Sequence, residues 1–510
     1  MTNKGYRDGN SLVVGAARGS IVPRIALKEG PMDTPVSPLG PDVLERDDLR
    51  RALDEHDFAA AFALIKKWAG LSQNKIATAC DLTPGKVSNI ISGRHHVTSI
   101  TVIRRMADGL RIPGTLLGLA PRPWENQTPR PPAPTEERPP SEEVPWRPDA
   151  TVGLADHLTR SDLVINRRAA TRALSAAAVN GTALLDALEG WLQPASDDGK
   201  PRRRGRLGER DLDALEATTR AFRTWDHQYG GGLRRKAILG QLNEVAAALD
   251  EHQREPIERR LYGVMAQLAG SAATMAWDAG QQRRAQDYYR VALRAAHAAG
   301  DTHFGANVLA GMARQMLYVN HPQDALELVR LAQDGVRTSA GPRLRAMLHT
   351  REAWAYAAMG RHAAFHRANR HAEDALSSAA GVEEPYWIHY FDTAELAGVT
   401  GGRLLDLART DPHEHAAAAS QEIRAALAQR GPDASRSHAL DWIGLAECSF
   451  LLGDVTGAAE TTHHAVSAAA RTQSGRVRQQ LAHLYPYTVG RDVPGPVREA
   501  RDKIRDLLAR

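Results

Sequence analysis

The chain has 510 residues, 43% hydrophobic and 25% charged, with a formal net charge of +5. So long a chain exceeds what one core usually serves, so at least two folded units are expected. Ala and Leu dominate the apolar content and aromatics are only 5%, which favours helices and argues against a strand-rich fold. Cys80 and Cys448 lie far apart, outside any Cys/His cluster, which argues against a disulfide framework or a zinc finger. The stretch 169–192 follows Arg167-Arg168 but contains Arg172, Asp186 and Glu189, so it reads as an amphipathic helix and not a membrane span. Lys4 and Arg7 are followed by no apolar run; no secretory signal is expected, and a cytoplasmic location is.

Composition divides the chain. Residues 1–43, rich in Gly, Pro and Ser, predict a disordered leader, with Met32 offering a second start near its end. Residues 44–120 read as a first helical domain. Residues 121–150 carry Arg-Pro-Pro-Ala-Pro and Arg-Pro-Pro-Ser, and so much proline predicts an extended, semi-rigid linker. Residues 151–208 are expected to form connecting helices and a basic loop holding Arg202, Arg203, Arg204 and Arg206. Residues 209–510 read as helices separated by short Gly, Asp and Pro breaks.

The first helical domain is the informative one. Phe58, Phe62, Ile65 and Trp68 recur at spacings of three and four, which places them on one helix face. Gly70 stops that helix, and Ser72 is positioned to cap a short second helix with Ile76 and Ala77 inward. Asp81-Leu82-Thr83 makes a tight connection. Thr83 can cap a third helix with Pro84 in its first turn, Val87, Ile90 and Ile91 inward, and Gly93 at its end. A fourth helix over 99–110 presents Ile100, Ile103, Met106 and Ala107, and Leu116 and Leu117 close the unit.

Two short helices joined by so tight a turn form a helix-turn-helix, whose second helix enters the major groove of double-stranded DNA. The run Leu71-Ser72-Gln73 and Leu82-Thr83-Pro84-Gly85-Lys86-Val87-Ser88-Asn89-Ile90-Ile91-Ser92-Gly93-Arg94 resembles the λ-repressor/Cro-like (XRE-type) family. The resemblance covers residues 55–118 and implies a five-helix DNA-binding domain. It implies that Gln73 contacts backbone or an adjacent base. Thr83 and Ser88 can donate to phosphate at the positive end of the helix dipole. Lys86 and Asn89, on the outer face, can reach guanine and adenine edges, and Arg94 grips backbone. The chain departs from the family at Pro84, which has no donor where a base-reading side chain is common, so specificity should lean on Lys86 and Asn89. Gly85 belongs to the same turn. Between Phe58 and Ile112 stand eight Lys and Arg against Asp81 and Asp108, a net +6 read as a phosphate-facing surface.

The remainder repeats. Gly280-Gln-Gln-Arg-Arg-Ala285, Asn320-His-Pro-Gln-Asp-Ala325, Gly360-Arg-His-Ala-Ala-Phe365 and Gly453-Asp-Val-Thr-Gly-Ala458 each sit between Ala/Leu-rich helices, the first three 40 residues apart. Small or apolar residues follow at helical spacing: Tyr289 and Ala292, Val329 and Ala332, Thr462 and Ala465. This resembles tetratricopeptide-like repeats, with a period longer than the family's usual ~34, and implies a superhelix of helical hairpins with a concave face. Trp277, Tyr288, Tyr289, Trp387 and Tyr390 are candidates for that face or for core packing. The whole arrangement looks like large regulators common in high-GC bacteria, which implies control of gene expression, often of development or secondary metabolism.

No catalytic constellation is legible. Gly230-Gly231-Gly232 lacks the Gly-Lys-Ser/Thr of a phosphate loop, and His413-Glu414-His415 and His463-His464 lack the i, i+4 spacing of a helical metal pair. The fold class expected is therefore all-α. The partners expected are double-stranded DNA, a second copy in a homodimer, and an effector (peptide, small molecule or protein) in the repeat groove. No membrane partner, cofactor, metal or enzymatic activity is expected, and the nucleoid is the expected place of the DNA-bound protein. The competing readings are a repeat-based interaction scaffold with little or no DNA binding, and an enzyme with an unfamiliar site.

Overall fold

Among the described residues every regular element is helical. The computed structural model describes residues 39–97, 99–119, 122, 124–125, 145–163, 177–193, 207–229, 235–431, 434–472, 474–489 and 495–509. The expected leader up to residue 38, most of the proline-rich linker, the Arg202–Arg206 cluster and the Gly230–Gly232 triplet lie outside them.

The first domain contains α1 (Pro41–Leu44), α2 (Asp47–Asp54), α3 (Phe58–Trp68), α4 (Gln73–Ala79), α5 (Pro84–Ile91) and α6 (Ile100–Leu110), closed by a 3₁₀ turn over Gly114–Leu117. Leu39 and Val43 are buried in its core, so the folded unit reaches upstream of residue 44. Phe58, Phe62 and Ile65 are buried as their spacing predicts, but Trp68 is 41% exposed. At about 100° per residue, Trp68 falls some 60° off the stripe that the other three share. Its indole instead receives the Arg46 guanidinium 3.8 Å from the ring centroid and Lys67 Nζ at 4.4 Å.

The segment between residues 120 and 250 contributes α7 (Pro148–Leu163), α8 (Thr182–Asp186), α9 (Glu209–Tyr229) and α10 (Arg235–Asp250). Helix α7 begins inside the stretch expected as linker, with Pro148 at its first position, where a missing N–H costs nothing. Within the described part of 169–192, expected as one helix, only α8 and a 3₁₀ turn over Glu189–Leu192 are helical.

Five antiparallel hairpins follow: α11 (Glu255–Asp278) with α12 (Gln282–Ala299), α13 (Thr302–Tyr318) with α14 (Pro322–Val336), α15 (Pro342–Ala358) with α16 (His362–Ser377), α17 (Thr393–Ala408) with α18 (Pro412–Gln429), and α19 (Ser435–Leu451) with α20 (Val455–Ala469). Then come α21 (Gly475–Leu484) and α22 (Gly495–Leu508). The four turns legible in the sequence fall inside four of these hairpins, and Gly280, Asn320, Gly360 and Gly453 all hold positive φ. Ala292, Ala332 and Ala465 are fully buried, and their small side chains let paired helices approach closely.

The hairpins do not run on as an open array. Asp278, at the end of α11, takes Arg476 Nε of α21 at 2.7 Å and Arg436 Nη1 of α19 at 3.4 Å. The last hairpin thus returns to the first, and the first helices of all five face a common interior. Tyr289 and Tyr390 line that interior, whereas Trp277, Tyr288 and Trp387 are buried in the wall.

Gly109 on α6 sets how closely α6 approaches the end of α4, because a Cβ there would lie 1.7 Å from the Ala79 carbonyl oxygen. The backbone must move to admit it. Gly109→Ala should destabilise the first domain by about 1–3 kcal/mol, the usual penalty for overpacking, measurable as faster hydrogen exchange in α4 and α6 with the hairpins unaffected.

Candidate nucleic-acid interface

The turn between α4 and α5 is built by local chemistry. Ser72 Oγ accepts from Lys75 N–H at 3.3 Å and Thr83 Oγ1 from Lys86 N–H at 3.3 Å, so each helix begins at a side-chain cap. Asp81 enters the left-handed region at φ +50°, which lets Leu82 N–H bond back to the Ala77 carbonyl at 2.8 Å. Val87 and Ile90 anchor α5 in the core, with Ile91 half-buried beside them. This leaves the opposite face of α5 to solvent.

Seven of the eight residues singled out in the sequence lie on or beside α5. Thr83, Pro84, Gly85, Ser88, Asn89 and Arg94 are exposed and Lys86 is half-buried; Gln73, half-buried, opens α4. Lys86 and Asn89 are three apart and share a face. Among the described residues, no hydrogen bond or ion pair engages the side chains of Gln73, Lys86, Ser88, Asn89 or Arg94. Thr83 uses a lone pair for its cap and keeps its hydroxyl proton to donate. The surface therefore combines uncommitted donors, an amide that can pair bidentately with adenine, and a lysine beside it.

The charge expectation needs correction. Arg104 does not face DNA: its Nε donates to Glu327 Oε2 of α14 at 2.9 Å. Arg105 is tied to Asp81 at 2.8 Å, and Asp108 to Arg122 at 2.8 Å. Arg111 lies over the Trp124 ring, 5.1 Å from its centroid. The cations remaining for phosphate are Lys66, Lys67, Lys75, Lys86 and Arg94. Net charge counted along a sequence assigns every cation to one surface, whereas this domain has a second face to fill.

That second face docks on the hairpins. Ser99, expected only as a helix start, donates its hydroxyl to Asp334 at 2.9 Å, and the same carboxylate takes Ile100 N–H at 3.1 Å, acting as the α6 cap. Arg361 Nη2 donates to the Thr115 carbonyl at 3.0 Å, and Arg367 donates to the Glu55 carbonyl. His56, in the turn before α3, sits at the centre. Its Nε2 lies 2.7 Å from the Leu117 carbonyl and its Nδ1 accepts from the Tyr356 hydroxyl at 3.0 Å. Tyr356 in turn accepts from Arg330 at 2.6 Å, and Arg330 pairs with Glu352 at 2.8 Å. Sequence patterning offers no signal for His56, since its side-chain partners Tyr356 and Arg361 are about 300 residues away and Leu117 is 61 residues away.

Residues far apart also meet on the hairpins. His362, Glu414 and His415 bring donor atoms within 4.8 Å of one another, the one such group among the described residues. His415 is buried, its ring 5.2 Å from that of His362. The spacing of His413-Glu414-His415 could not show this grouping, because His362 comes from the preceding hairpin.

A family model described as a helix-turn-helix domain matches residues 57–119. No curated protein and no solved structure matches the chain. The chain thus carries a helix-turn-helix DNA-binding domain, seated on a region of repeated helical hairpins. No helix among the described residues is long and apolar enough to cross a membrane.

Two outcomes are expected. Thr83→Ala, which removes the α5 cap, should cost about 1 kcal/mol, read as a lower urea midpoint for the first domain. Burial, with Arg330 and Arg361 nearby, holds the His56 imidazole well below its ordinary pKa of 6.5. Above pH 6.5 docked and undocked forms are both neutral and docking is at full strength. Below it, the undocked imidazole takes a proton that the docked one refuses, so docking weakens as pH falls towards the depressed value. The protection of amides around residues 52–58, corrected for the intrinsic slowing of exchange in acid, should therefore fall between pH 6.5 and 5, and a His56→Gln variant should lose that dependence.

Proposed function

We propose that this protein is a sequence-specific DNA-binding transcriptional regulator, its hairpin region acting as a tetratricopeptide-like sensor domain. The observation that carries the reading is the α5 face, where Lys86, Ser88 and Asn89 have no protein partner among the described residues while the opposite face of the domain is docked. Polar groups held out on a rigid helix are what base reading requires. One such domain reads too few base pairs for specificity, which supports a homodimer on paired half-sites, as in the XRE-type regulators that the sequence resembles. An effector in the hairpin interior would act by changing how the reading domain is held, and control of development or secondary metabolism fits the same resemblance.

Genome-wide occupancy of the tagged protein, beside a Lys86→Ala/Asn89→Ala variant, tests this reading. Discrete peaks sharing a motif in the wild type and vanishing in the variant are expected. The absence of peaks under several growth conditions would sink the regulator reading in favour of an interaction scaffold. In vitro, loss of the two side chains should weaken binding to the recovered motif by about 2–5 kcal/mol, while Lys66→Ala or Lys75→Ala should weaken all DNA alike and flatten the salt dependence.

A further inference from the structure

The ring of hairpins surrounds a partly open cavity of about 530 Å³, a volume suited to a metabolite-sized ligand. Its lining is chemically lopsided: eight arginines stand against three carboxylates, Glu395, Asp406 and Asp441. Most of the guanidiniums are answered from within the wall. Arg409 pairs with Glu447 at 2.6 Å, Arg430 with Glu395 at 2.8 Å, Arg403 with Asp406 at 3.0 Å, and Arg476 and Arg436 with Asp278 at 2.7 and 3.4 Å, while Arg223 donates to the Trp387 carbonyl at 3.2 Å.

Two are not. Arg314 of α13 and Arg351 of α15 line the same cavity, and neither has a carboxylate partner among the described residues. Arg351 is only 4% exposed. Arg314 lies 4.9 Å from the Trp277 ring centroid and its buried Nε has no acceptor. Contact with an indole offsets part of the burial cost of a cation, but it satisfies none of the fork's directed donors. Burial, together with the nearby Arg476 and Arg351, pushes the Arg314 pKa below its usual value. An interior cation without an anion is unfavourable, and two on facing helices repel each other. Such an arrangement costs stability unless something else supplies the negative charge.

We propose that this cavity is the effector site, and that it takes a phosphate-bearing small molecule whose oxygens bridge Arg314 and Arg351. The proposal rests on reading the chain as an effector-controlled regulator. Guanidiniums offer donors and no acceptors, and the wall carboxylates are engaged, so the cavity suits a ligand made of acceptor oxygens. A peptide, with an N–H for every carbonyl, would find few acceptors. Tyr289, Tyr318, Trp354 and Tyr390 supply aromatic walls for an organic body. The connection to DNA reading runs along one helix: α15 sends Arg351 and Trp354 to the cavity and Glu352 and Tyr356 to the joint around His56. An anion that draws Arg351 inward acts directly on the element that holds the reading domain.

The test is calorimetry and thermal unfolding of the full chain with pyrophosphate, with citrate and NaCl at matched ionic strength as controls. Expected is saturable pyrophosphate binding with a rise in Tm beyond both controls, weakened about tenfold or more in Arg314→Met/Arg351→Met. The same variant should melt higher than wild type without pyrophosphate, because an unmatched charge pair has gone; arginines with a structural role would lower it. Arg351→Lys, which keeps the charge and loses the fork, should fold and bind less tightly. No saturable binding, equal binding in the variants, or an equal response to citrate overturns the proposal. The Lys86→Ala/Asn89→Ala variant should bind pyrophosphate as wild type does, so a failure of DNA reading and a failure of this site are told apart.

Discussion

The architecture depends on one carboxylate. Asp278 ends the first helix of the first hairpin, and its two oxygens face Arg476 and Arg436 from the last turn of the array. It is 6% exposed at the side chain, so its charge is answered by those two guanidiniums and not by water. Removing one partner from a buried pair costs about 3–5 kcal/mol, enough to matter against the total stability of a domain. This closure gathers the inward-facing arginines of the hairpins around one shared space. With it they wall an interior, where lower polarity raises the cost of every unmatched charge and the value of any anion that answers it.

The joint between reading domain and ring is of a different kind. The two cores are separate clusters: one holds Phe62, Ile65, Val87 and Ile103, the other runs through the hairpins. What lies between them is chiefly polar, with Arg104 on Glu327, Ser99 on Asp334, and His56 between Tyr356 and the Leu117 carbonyl. Such contacts are directional and context-dependent, so a small displacement of α15 or α14 changes them without disturbing either core. The α5 face lies away from the joint and its side chains stay free.

Much of this architecture is legible in the order of the amino acids. The helix-turn-helix is readable because its features are local: caps at Ser72 and Thr83, Pro84 in the first turn, and inward residues at helical spacing. Four of five hairpins are readable because Gly280, Asn320, Gly360 and Gly453 mark their turns. The fifth, α17 with α18, turns through Arg409-Thr410-Asp411, where Asp411 caps Glu414 N–H at 3.1 Å; with neither Gly nor Asn at the turn it leaves no periodic mark. Trp68 departs from its expected face because spacings of three accumulate drift around a helix. The fate of Arg104, the centrality of His56, the His362–His415 meeting and the closure through Asp278 depend on residues brought together from distant parts of the chain. No local pattern encodes them.

Two separate cores joined through a strip of charged and polar side chains also bear on how such a chain can change over generations. A reading head whose interior owes nothing to its support can be replaced by another of the same outline, provided a few surface partners for Asp334, Glu327, Arg361 and Tyr356 are kept. The support is equally at liberty to alter its interior arginines. The two halves of the molecule can therefore diverge at different rates, the helix-turn-helix surface changing while the hairpin interior is kept, or the reverse.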